Sequence, residues 1–470
     1  MTPAMGKSQP FDRVRMLAWS LLRQVESSRA FADSLLDRTF SQNPSLKPVD
    51  RAFIMELFLG TLRWRGRLDA AIESAYGQPL KKIDPRLLHL LRLATYQVLF
   101  LNRVPDSAAV NESVLLARAV FKNEKTAGFV NAVLRAIARN KNQETFPRRE
   151  SDFVKHIARA FSHPQWMVER WVREFGAEVA GKIAAANNRR PPLTVRVNTL
   201  KTSRESLGQQ FGSRGMGVFP TPFSPEGLVL EESLFIAEDD LFKKGMYFVQ
   251  DEASQIVSHF LAPQPGERIL DACAAPGGKS THMAQLMGDR GEIIALDIGA
   301  TKVSLIRENC RRMGISMVKA FRADAARALP FPPDSFFDRI MVDAPCTGLG
   351  TLHRNPEAKW RQKPEDVSRL RRLQSTILGN ISSLLKPGGV LVYSTCTMTP
   401  EENDSVVEDF LEGRKDFFLE DPRPVVPGSI HPLIDPKGFF RTYPKMTTTE
   451  DGYRLDGFFA ARMKKMKRSP

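Results

Sequence analysis

Cysteine is scarce in this chain, whose 470 residues include four: Cys273, Cys310, Cys346 and Cys396. No two of them form a Cys-x-x-Cys pair, so we expect reduced thiols, no structural zinc site and no bound metal. No apolar run reaches the 18 residues of a membrane-spanning helix, and residues 1–10 lack the apolar core of a signal peptide. These absences predict a cytoplasmic protein without a membrane partner.

Acidic residues are outnumbered, since 53 Asp and Glu face 68 Lys and Arg, for a formal net charge of +15. The basic residues are scattered along the chain, which favours a polyanionic partner, and nucleic acid is the foremost candidate. A soluble protein that is merely basic is the alternative, because net charge alone identifies no partner. The length predicts two to four domains, at roughly 100 to 200 residues per domain.

The first 140 residues have the apolar spacing of three and four that is typical of amphipathic helices, with no alternating strand pattern. The predicted helices cover residues 14–25, 53–62, 85–98, 114–120 and 129–137. Asp50 is a candidate cap for the second of them, and Pro85 lies in the first turn of the third. The sequence therefore predicts an all-helical domain over residues 1–140, followed by a polar connector over residues 140–150.

For residues 151–248, the sequence predicts linker helices and a small α+β domain. The helical stretch 151–188 ends at two prolines, residues 193–200 alternate as a half-buried strand does, helix resumes over 203–211, and a strand follows at 227–230.

From residue 249 to 465, strand-like apolar segments alternate with helical ones, the pattern of a doubly wound α/β domain of the Rossmann-like class. The predicted strands are residues 268–270, 292–296, 318–321, 339–342 and 389–393. Ligands of such sheets bind beyond the carboxyl ends of the strands, where Asp271, Asp297, Asp324, Asp343 and Cys396 fall. We therefore expect these side chains to form one site.

A glycine-rich turn follows the first of these strands, and its residues are candidates for contact with a cofactor: Cys273, Ala274, Ala275, Pro276, Gly277, Gly278 and Lys279. A Walker phosphate loop needs a glycine five positions before the Gly278-Lys279 pair, where Cys273 stands, so that alternative fails. A dinucleotide fingerprint is also absent. The remaining hypothesis is a site for S-adenosylmethionine.

Two strand-end carboxylates fit this cofactor. Asp297 follows Gly278 by 19 residues, close to the offset of about 20 at which a carboxylate accepts from ribose hydroxyls. Asp324 could accept from the adenine amino group, or could instead cap a helix that begins at Ala325.

Two of the cysteines indicate the reaction class. Addition of a thiolate to carbon 6 of cytosine makes carbon 5 able to attack a methylsulfonium group, and Asp343 could hydrogen-bond ring nitrogen 3 during that addition. Cys346 and Cys396 both lie near strand ends, although a buried cysteine is ordinarily a small hydrophobic residue. The residues alone do not order the two thiols. Cys273, in the turn, and Cys310, inside a predicted helix, receive no chemical role.

Three motifs together resemble those of the NOL1/NOP2/Sun family of RNA cytosine carbon-5 methyltransferases. They are residues 271–281, residues 343–348 (Asp-Ala-Pro-Cys-Thr-Gly), and residues 393–397 (Tyr-Ser-Thr-Cys-Thr) with Glu-Glu-Asn at 401–403. The similarity extends to residues 247–254 and 456–460, and thus over about the last two thirds of the chain. A departure lies between Pro444 and Asp456, where this chain has a longer segment.

The resemblance implies roles for the two thiols and for the residues that would bind the methyl donor. It makes Cys396 the nucleophile and Cys346 the residue that helps to release product, the reverse of DNA cytosine methyltransferases, so no DNA substrate is expected. It also implies that the donor binds against residues 273–279 and against Asp297, Asp324 and Asp343.

The helical N-terminal region resembles the antitermination factor NusB, through residues 50–53 and 60–63. A NusB-like domain fused to a Sun-type catalytic domain implies that 16S rRNA is the substrate and that the protein is a monomer. Several arginines are then implied as phosphate contacts: Arg13, Arg15, Arg51, Arg63, Arg65 and Arg67. Two rivals remain: the same chemistry on tRNA or another RNA, and an RNA-binding ribosome assembly factor with a vestigial methyltransferase domain.

Overall fold

The computed structural model of the protein describes residues 11–28, 30–141, 152–231, 235–331, 336–444 and 455–467. The chain divides into two compact units: residues 1–189 with 352–361, and residues 190–351 with 362–470. Most of the predicted connector (142–150) and most of the longer segment between Pro444 and Asp456 (445–454) lie outside the described residues. Within the described ranges, no helix combines the length and apolarity that a membrane span requires.

The first unit is helical, as predicted. Its helices α1 to α9 are Arg13–Ser28, Ala32–Gln42, Pro48–Tyr76, Pro85–Phe100, Asp106–Phe121, Glu124–Asn140, Phe153–Ala160, Gln165–Phe175 and Ala177–Ala186, with a 3-10 turn at Leu80–Lys82. All five helices predicted before residue 140 are present. The prediction that Asp50 caps α3 is wrong, because α3 begins at Pro48 and Asp50 lies in its first turn. Proline suits that first turn, since its missing N–H has no partner there.

The core of this unit lies where the apolar stripes meet. Helix α1 buries Ala18, Leu21, Leu22 and Val25, the stripe that the spacing predicted. Helix α4 is buried along most of its length, and α1, α3, α5 and α6 all contact it.

A short segment of distant sequence, residues 352–361, completes the helical unit. It includes the one-turn helix α15, Ala358–Arg361. The indole N–H of Trp360 donates to the Leu62 carbonyl oxygen at 2.8 Å, and Arg361 donates to the Ala30 carbonyl oxygen at 2.6 Å. Lys359 is fully buried and donates to Asn188 Oδ1 at 2.6 Å. No sequence pattern indicated that this segment belongs to the helical unit.

The second unit begins with a small antiparallel sheet in the strand order β2-β3-β1-β4. The strands β1 to β4 are Leu193–Val197, Val218–Pro220, Gly227–Leu230 and Tyr247–Val249. The accompanying helices are α10, Arg204–Gly212, and α11, Asp240–Lys243, with a 3-10 turn at Ile236–Glu238. Ser203 caps α10 by accepting from the N–H of Ser206. The predicted α+β middle domain is therefore confirmed.

The rest of the second unit is the predicted doubly wound domain. Strands β5 to β12 are Arg268–Asp271, Glu292–Asp297, Val318–Arg322, Phe337–Asp343, Leu385–Thr395, Phe417–Leu419, Phe440–Arg441 and Phe459–Lys465. The helices are α12, Glu252–Leu261; α13, Gly278–Leu286; α14, Ala300–Met313; α16, Pro364–Ser382; and α17, Asp404–Gly413, with 3-10 turns at Pro400–Glu402 and Gly428–Leu433. The five strands predicted from sequence are β5 to β9.

In the described part of the chain, β5 to β12 form one eight-stranded sheet in the order β10-β12-β9-β8-β5-β6-β7, with β11 paired to β12. Strands β5 to β9 are parallel, whereas β12 runs antiparallel to β9. Successive residues of a strand face opposite sides: Ile269 packs into one core and Leu270 into the other. The order in which successive strands are added to the sheet reverses between β5 and β8. Such sheets bind ligands at this reversal point.

Candidate active site

The neighbouring strands β5, β8 and β9 end at the same edge of the sheet, at the point of reversal. Strand β5 ends at Asp271 and β8 at Asp343, while β9 ends at Thr395, one residue before Cys396. Asp343 pairs in register with Ser394. The sequence showed buried strands that end in polar residues. This pattern places the predicted reactive side chains together at the edge where β5, β8 and β9 end.

The two thiols that the sequence singled out are in contact. The Sγ atoms of Cys346 and Cys396 lie 3.2 Å apart, and both residues are partly exposed. The hydrogen bond to Cys396, burial, and the charges of Cys396 and Glu402 raise the pKa of the Cys346 thiol well above its ordinary value. Cys346 is therefore suited to hold a proton, since a thiol with a raised pKa forms little thiolate near neutral pH.

The glycine-rich turn opens α13. Gly277 occupies the N-cap position with φ of +98°, a left-handed conformation that favours glycine. A Cβ on Gly278 would lie 3.3 Å from the Phe248 ring, so the backbone packs closely there. The N–H of Ala274 donates to the Leu296 carbonyl oxygen at 2.8 Å, which fixes the turn against the end of β6.

Lys279 joins this turn to the end of β8. Its Nζ lies 2.7 Å from Asp343 Oδ2 and 3.0 Å from Ser254 Oγ. Ser394 donates to the other oxygen of Asp343, Oδ1, at 2.9 Å. Asp343 is thus a carboxylate held on both oxygens, which suits it to accept a hydrogen bond.

Asp271 is fully buried at the end of β5. Burial raises the pKa of Asp271 to about 7. The negative charge of Asp343 also raises this pKa, whereas a hydrogen bond from Ser280 lowers it. Ser280 Oγ donates to Asp271 Oδ2 at 2.6 Å. Sequence reasoning placed Asp271 at the strand end, but it gave this residue no role.

The two carboxylates predicted to hold the nucleoside lie at the ends of the next strands. Asp297 ends β6, is 6% exposed, and accepts from the N–H of Gly299 through Oδ1 at 3.0 Å. Asp324 lies two residues beyond β7, where Oδ1 accepts from the N–H of Ala326 at 3.0 Å. No helix begins at that turn, so the alternative reading of Asp324 as a helix cap is wrong.

The remaining cysteines lack features of reactive thiols. Burial, with the charges of Asp271, Asp343 and Asp297, raises the pKa of Cys273. Burial likewise raises the pKa of Cys310 to about 12 within α14.

Sequence reasoning missed Glu402 as a functional candidate and noted it only within the 401–403 motif. Glu402 is fully buried and hydrogen-bonds Thr347, the residue after Cys346. An acidic residue shortly after the Thr-Cys motif was the available signal, but only the folded chain shows what it contacts.

A group of metal-ligating residue types lies elsewhere in the described part of this unit. Glu226, His259 and His282 place ligand atoms within 4.8 Å of one another. His259 Nε2 is 3.0 Å from Glu226 Oε2, and burial, with the positive charge of Arg196, lowers the pKa of His282 to about 3. A divalent cation would add to the positive charge already buried at Arg196. We still predict that no metal is bound there. Dialysis against EDTA should then leave methyl transfer unchanged.

Arginines of the helical unit differ in their availability to RNA. Arg51 is 8% exposed and donates to the Pro44 carbonyl oxygen at 3.1 Å, so little of its side chain is available for a phosphate contact. Arg65 pairs with Glu26 at 3.2 Å, and Arg15 pairs with Asp12.

Family models match each part of the chain. The model for 16S rRNA methyltransferase RsmB/F matches residues 258–464, that for the NusB family matches 12–139, and that for the ferredoxin-like domain of RsmF/B-like methyltransferases matches 163–237. These matches confirm the helical, α+β and α/β architecture.

Similar proteins extend over most of the chain. The probable ribosomal RNA small subunit methyltransferase B of Bacillus subtilis is 37% identical, covering 96% of this chain and 98% of that protein. The ribosomal RNA small subunit methyltransferase B of Escherichia coli O1:K1 / APEC is 33% identical, covering 87% and 95%. The solved structure of NSun6 from Pyrococcus horikoshii is 26% identical with a TM-score of 0.56, covering 65% and 98%.

The fold, the family models and these relatives define the class of the protein as a ribosomal RNA methyltransferase. Within that class, the chain belongs to the RsmB family of small-subunit methyltransferases.

Proposed function

We propose that this protein transfers a methyl group from S-adenosylmethionine to carbon 5 of a cytosine in 16S rRNA. The observation that carries the proposal is the contact of two thiols, 3.2 Å apart, beside a carboxylate at the reversal point of the sheet. Methylation of an oxygen or an exocyclic nitrogen gives no reason for two adjacent thiols, whereas the aromatic carbon of cytosine needs covalent activation.

The residues at the strand ends fit the methyl donor. Gly277, with its left-handed φ of +98°, shapes the turn at the strand ends where the donor would bind. The side-chain contacts of Asp297 with the described part of the chain use Oδ1, so Oδ2 can accept from the ribose hydroxyls. Asp324 would accept from the adenine amino group. S-Adenosylmethionine supplies an electrophilic methyl group, which a carbon nucleophile can take.

The contact between the two thiols supports a different role for each of them. Cys396, as a thiolate, would form a bond to carbon 6 of the cytosine, which turns carbon 5 into the nucleophile that takes the methyl group. As the carbon–sulfur bond forms, ring nitrogen 3 would take up a proton from solvent, and Asp343 would accept a hydrogen bond from the resulting N–H; this proton returns to solvent when the product is released. The ion pair of Asp343 with Lys279 holds the carboxylate in place for this contact.

Release of the product reverses the addition. The carbon 5 proton leaves, its electron pair restores the double bond between carbons 5 and 6, and the carbon–sulfur bond to Cys396 breaks. Cys346 would donate its proton to the departing sulfur of Cys396 and would take up the proton from carbon 5. The 3.2 Å separation and the raised pKa of Cys346 both suit this exchange.

The target base has to leave its stack to reach a thiol at the sheet edge, so we propose a single-stranded or loop cytosine in 16S rRNA that is not yet buried in an assembled subunit. Support for this substrate comes from the family and from the names of the relatives.

Denaturing gel electrophoresis tests the proposal. Wild type, Cys346→Ala, Cys396→Ala and the double variant are incubated with S-adenosylmethionine and unmodified 16S rRNA. An RNase-sensitive, slowly migrating adduct in Cys346→Ala that is absent in the double variant is the expected result. An adduct in Cys396→Ala would instead exchange the two roles.

The same assay, with labelled S-adenosylmethionine and purified tRNA in place of 16S rRNA, decides the substrate. Preferential labelling of tRNA by wild type would overturn the 16S rRNA assignment. Failure of wild type to bind S-adenosylmethionine in calorimetry, with no difference from Asp297→Ala, would instead favour an assembly factor without enzymatic activity.

A further inference from the structure

A carboxylate lies beneath the two thiol-bearing loops. Glu402, in the 3-10 turn Pro400–Glu402, is fully buried and accepts four hydrogen bonds. Oε1 accepts from the N–H of Thr347 at 2.9 Å and from Gln374 Nε2 at 3.0 Å. Oε2 accepts from the hydroxyl groups of Thr347 at 2.5 Å and of Thr399 at 2.7 Å.

The hydrogen-bonded residues are neighbours of the thiols in the chain. Thr347 follows Cys346, and Thr397 follows Cys396. The Oγ1 atoms of Thr347 and Thr397 lie 2.9 Å apart. Thr347 has already donated its only hydroxyl proton to Glu402, so Thr397 is the donor in this second contact. Glu402 and the two threonines therefore connect the loop of Cys346 to the loop of Cys396.

The four donors to Glu402 are all uncharged, and each carboxylate oxygen accepts two hydrogen bonds. Burial of a charged carboxylate is unfavourable unless hydrogen bonds replace its water, and bonds to a charged acceptor are stronger than neutral ones. Glu402 thus holds its donors more firmly than a neutral side chain of the same shape would.

We propose that Glu402 is a positioning residue for the thiol pair: it holds the Cys346 loop against the Cys396 loop and so sets the rate at which the covalent intermediate is resolved. This inference rests on the proposed function, in which Cys346 acts during release.

The charge of Glu402 adds a second effect. After the hydrogen bond to Cys396, burial and the charge of Cys396, the charge of Glu402 is a further contribution that raises the pKa of Cys346. Loss of that charge is therefore expected to lower the pKa of Cys346 and to move the pH dependence of product release toward lower pH. A role confined to folding would produce no such shift.

The test compares Glu402→Gln, Glu402→Asp and the control Glu401→Gln with wild type. Glu401 is the preceding, half-buried residue of the same turn, and its substitution changes the net charge equally. Single-turnover reactions measure formation and decay of the RNA adduct from pH 6 to 9, and calorimetry measures the affinity for S-adenosylmethionine. Decay in Glu402→Gln is expected to be slower by about 10- to 100-fold, as for a reacting group misplaced by about 1 Å.

The three variants separate position from charge. Glu402→Asp keeps the charge but shortens the side chain, so decay should slow without a shift of its pH profile. Glu402→Gln should show both effects, and Glu401→Gln neither. In the Cys346→Ala background, Glu402→Gln should slow decay no further, because residues that act through one another are not additive.

Several results would overturn the inference. One is adduct decay in Glu402→Gln at the wild-type rate and pH dependence; another is full additivity with Cys346→Ala. If Glu402→Gln does not fold, Thr399→Val, which removes a single donor, is measured instead, and wild-type decay in that variant counts against the role. Absence of any adduct in Cys346→Ala is a different result, because it contradicts the proposed function itself.

Discussion

The Nζ atom of Lys279 lies 2.7 Å from Asp343 Oδ2, so an ion pair joins the glycine-rich turn to the strand β8 that leads to Cys346. The side chain of Lys279 is 8% exposed and that of Asp343 is 31% exposed. The pair is therefore shielded from solvent more than a surface ion pair, and its loss should be measurable.

Lys279→Met tests this pair. The substitution keeps much of the packing volume but, among the described residues, leaves Ser394 as the side-chain donor to Asp343, so we expect the free energy of unfolding to fall by about 1–3 kcal/mol. Methyl transfer should slow as well, since the carboxylate loses its fixed position. Urea unfolding measures the first effect and single-turnover transfer the second.

Lys302→Met is the matched control for stability. Lys302 is 55% exposed and lies 3.5 Å from Asp297, so its loss should cost less than about 1 kcal/mol. Equal losses in the two lysine variants would contradict a special contribution from the Lys279–Asp343 pair.

The buried carboxyl of Asp271 predicts a pH dependence of stability. The unfolded chain releases this proton near pH 3.8, whereas the folded protein, with the pKa of Asp271 raised by burial to about 7, retains it. The folded state binds more protons between these values, so this carboxyl makes the free energy of unfolding fall as pH rises from about 4 to 7. Asp271→Asn lacks this contribution.

Urea unfolding of wild type and Asp271→Asn at several pH values checks it. The stability of wild type relative to the variant should decrease between pH 4.5 and 7.5 by on the order of a few kcal/mol, since one pKa unit corresponds to about 1.4 kcal/mol. Other groups titrate in both proteins and cancel. A difference that is constant, or that grows with pH, would contradict the raised pKa.

The thiol contact predicts sensitivity to oxidation. Two sulfur atoms 3.2 Å apart need a modest approach to reach the disulfide distance of about 2.0 Å. Diamide should therefore convert Cys346 and Cys396 to an intramolecular disulfide, with loss of two of the four thiols that can be titrated in denaturant and loss of methyl transfer.

Dithiothreitol should restore both the thiols and the transfer. Cys346→Ala should retain its three remaining thiols under the same treatment. Loss of thiols from that variant, or dimers on a non-reducing gel of wild type, would show that the oxidised pair is a different one.

Position 350, shortly after Cys346, has no space for a side chain. A Cβ at this position would lie 1.9 Å from the Gly457 carbonyl oxygen, and the two backbones exchange a hydrogen bond, from Gly457 N–H to Gly350 O, at 2.8 Å. Gly350→Ala should therefore reduce the free energy of unfolding by about 1–3 kcal/mol, because backbone cannot move aside as a flexible side chain can.

Gly379→Ala is the corresponding control. Gly379 lies inside α16 with open space around its Cβ position, so alanine should stabilise the protein by about 0.5–1 kcal/mol. Thermal unfolding of both variants decides the matter, and destabilisation by Gly379→Ala would show that the helix packs differently there.

Local patterns predicted much of the fold. The stripe from Val14 to Val25 is periodic, and strands β5 to β9 contain short apolar runs, so these helical and strand segments followed from sequence. Strand β12 was not predicted as part of the sheet, because its pairing with β9 joins residues more than sixty positions apart. The single predicted helical stretch 151–188 is three helices, since turns at Ser162 and Gly176 carry positive φ.

The candidate site was predictable to the extent that its residues end strands. Parallel strands bring their carboxyl ends together, so Asp343 and Cys396 could be placed side by side without coordinates. The partners of these residues could not: Lys279 reaches Asp343 across 64 positions, and Glu402 reaches Thr347 across 55. Such contacts depend on the paths of loops, and loops have no periodic sequence pattern from which a path could be predicted.

The helical unit is discontinuous in sequence, because the ten residues 352–361 belong to it. The polypeptide passes between the two units at three junctions, after residues 189, 351 and 361. A gene fragment ending at residue 189 would therefore encode the helical unit without the fully buried Lys359 and without Trp360, both of which hydrogen-bond its backbone. Separate expression of that unit calls for a fused copy of the decapeptide, and recombination between relatives has to exchange both pieces together to keep the helical core intact.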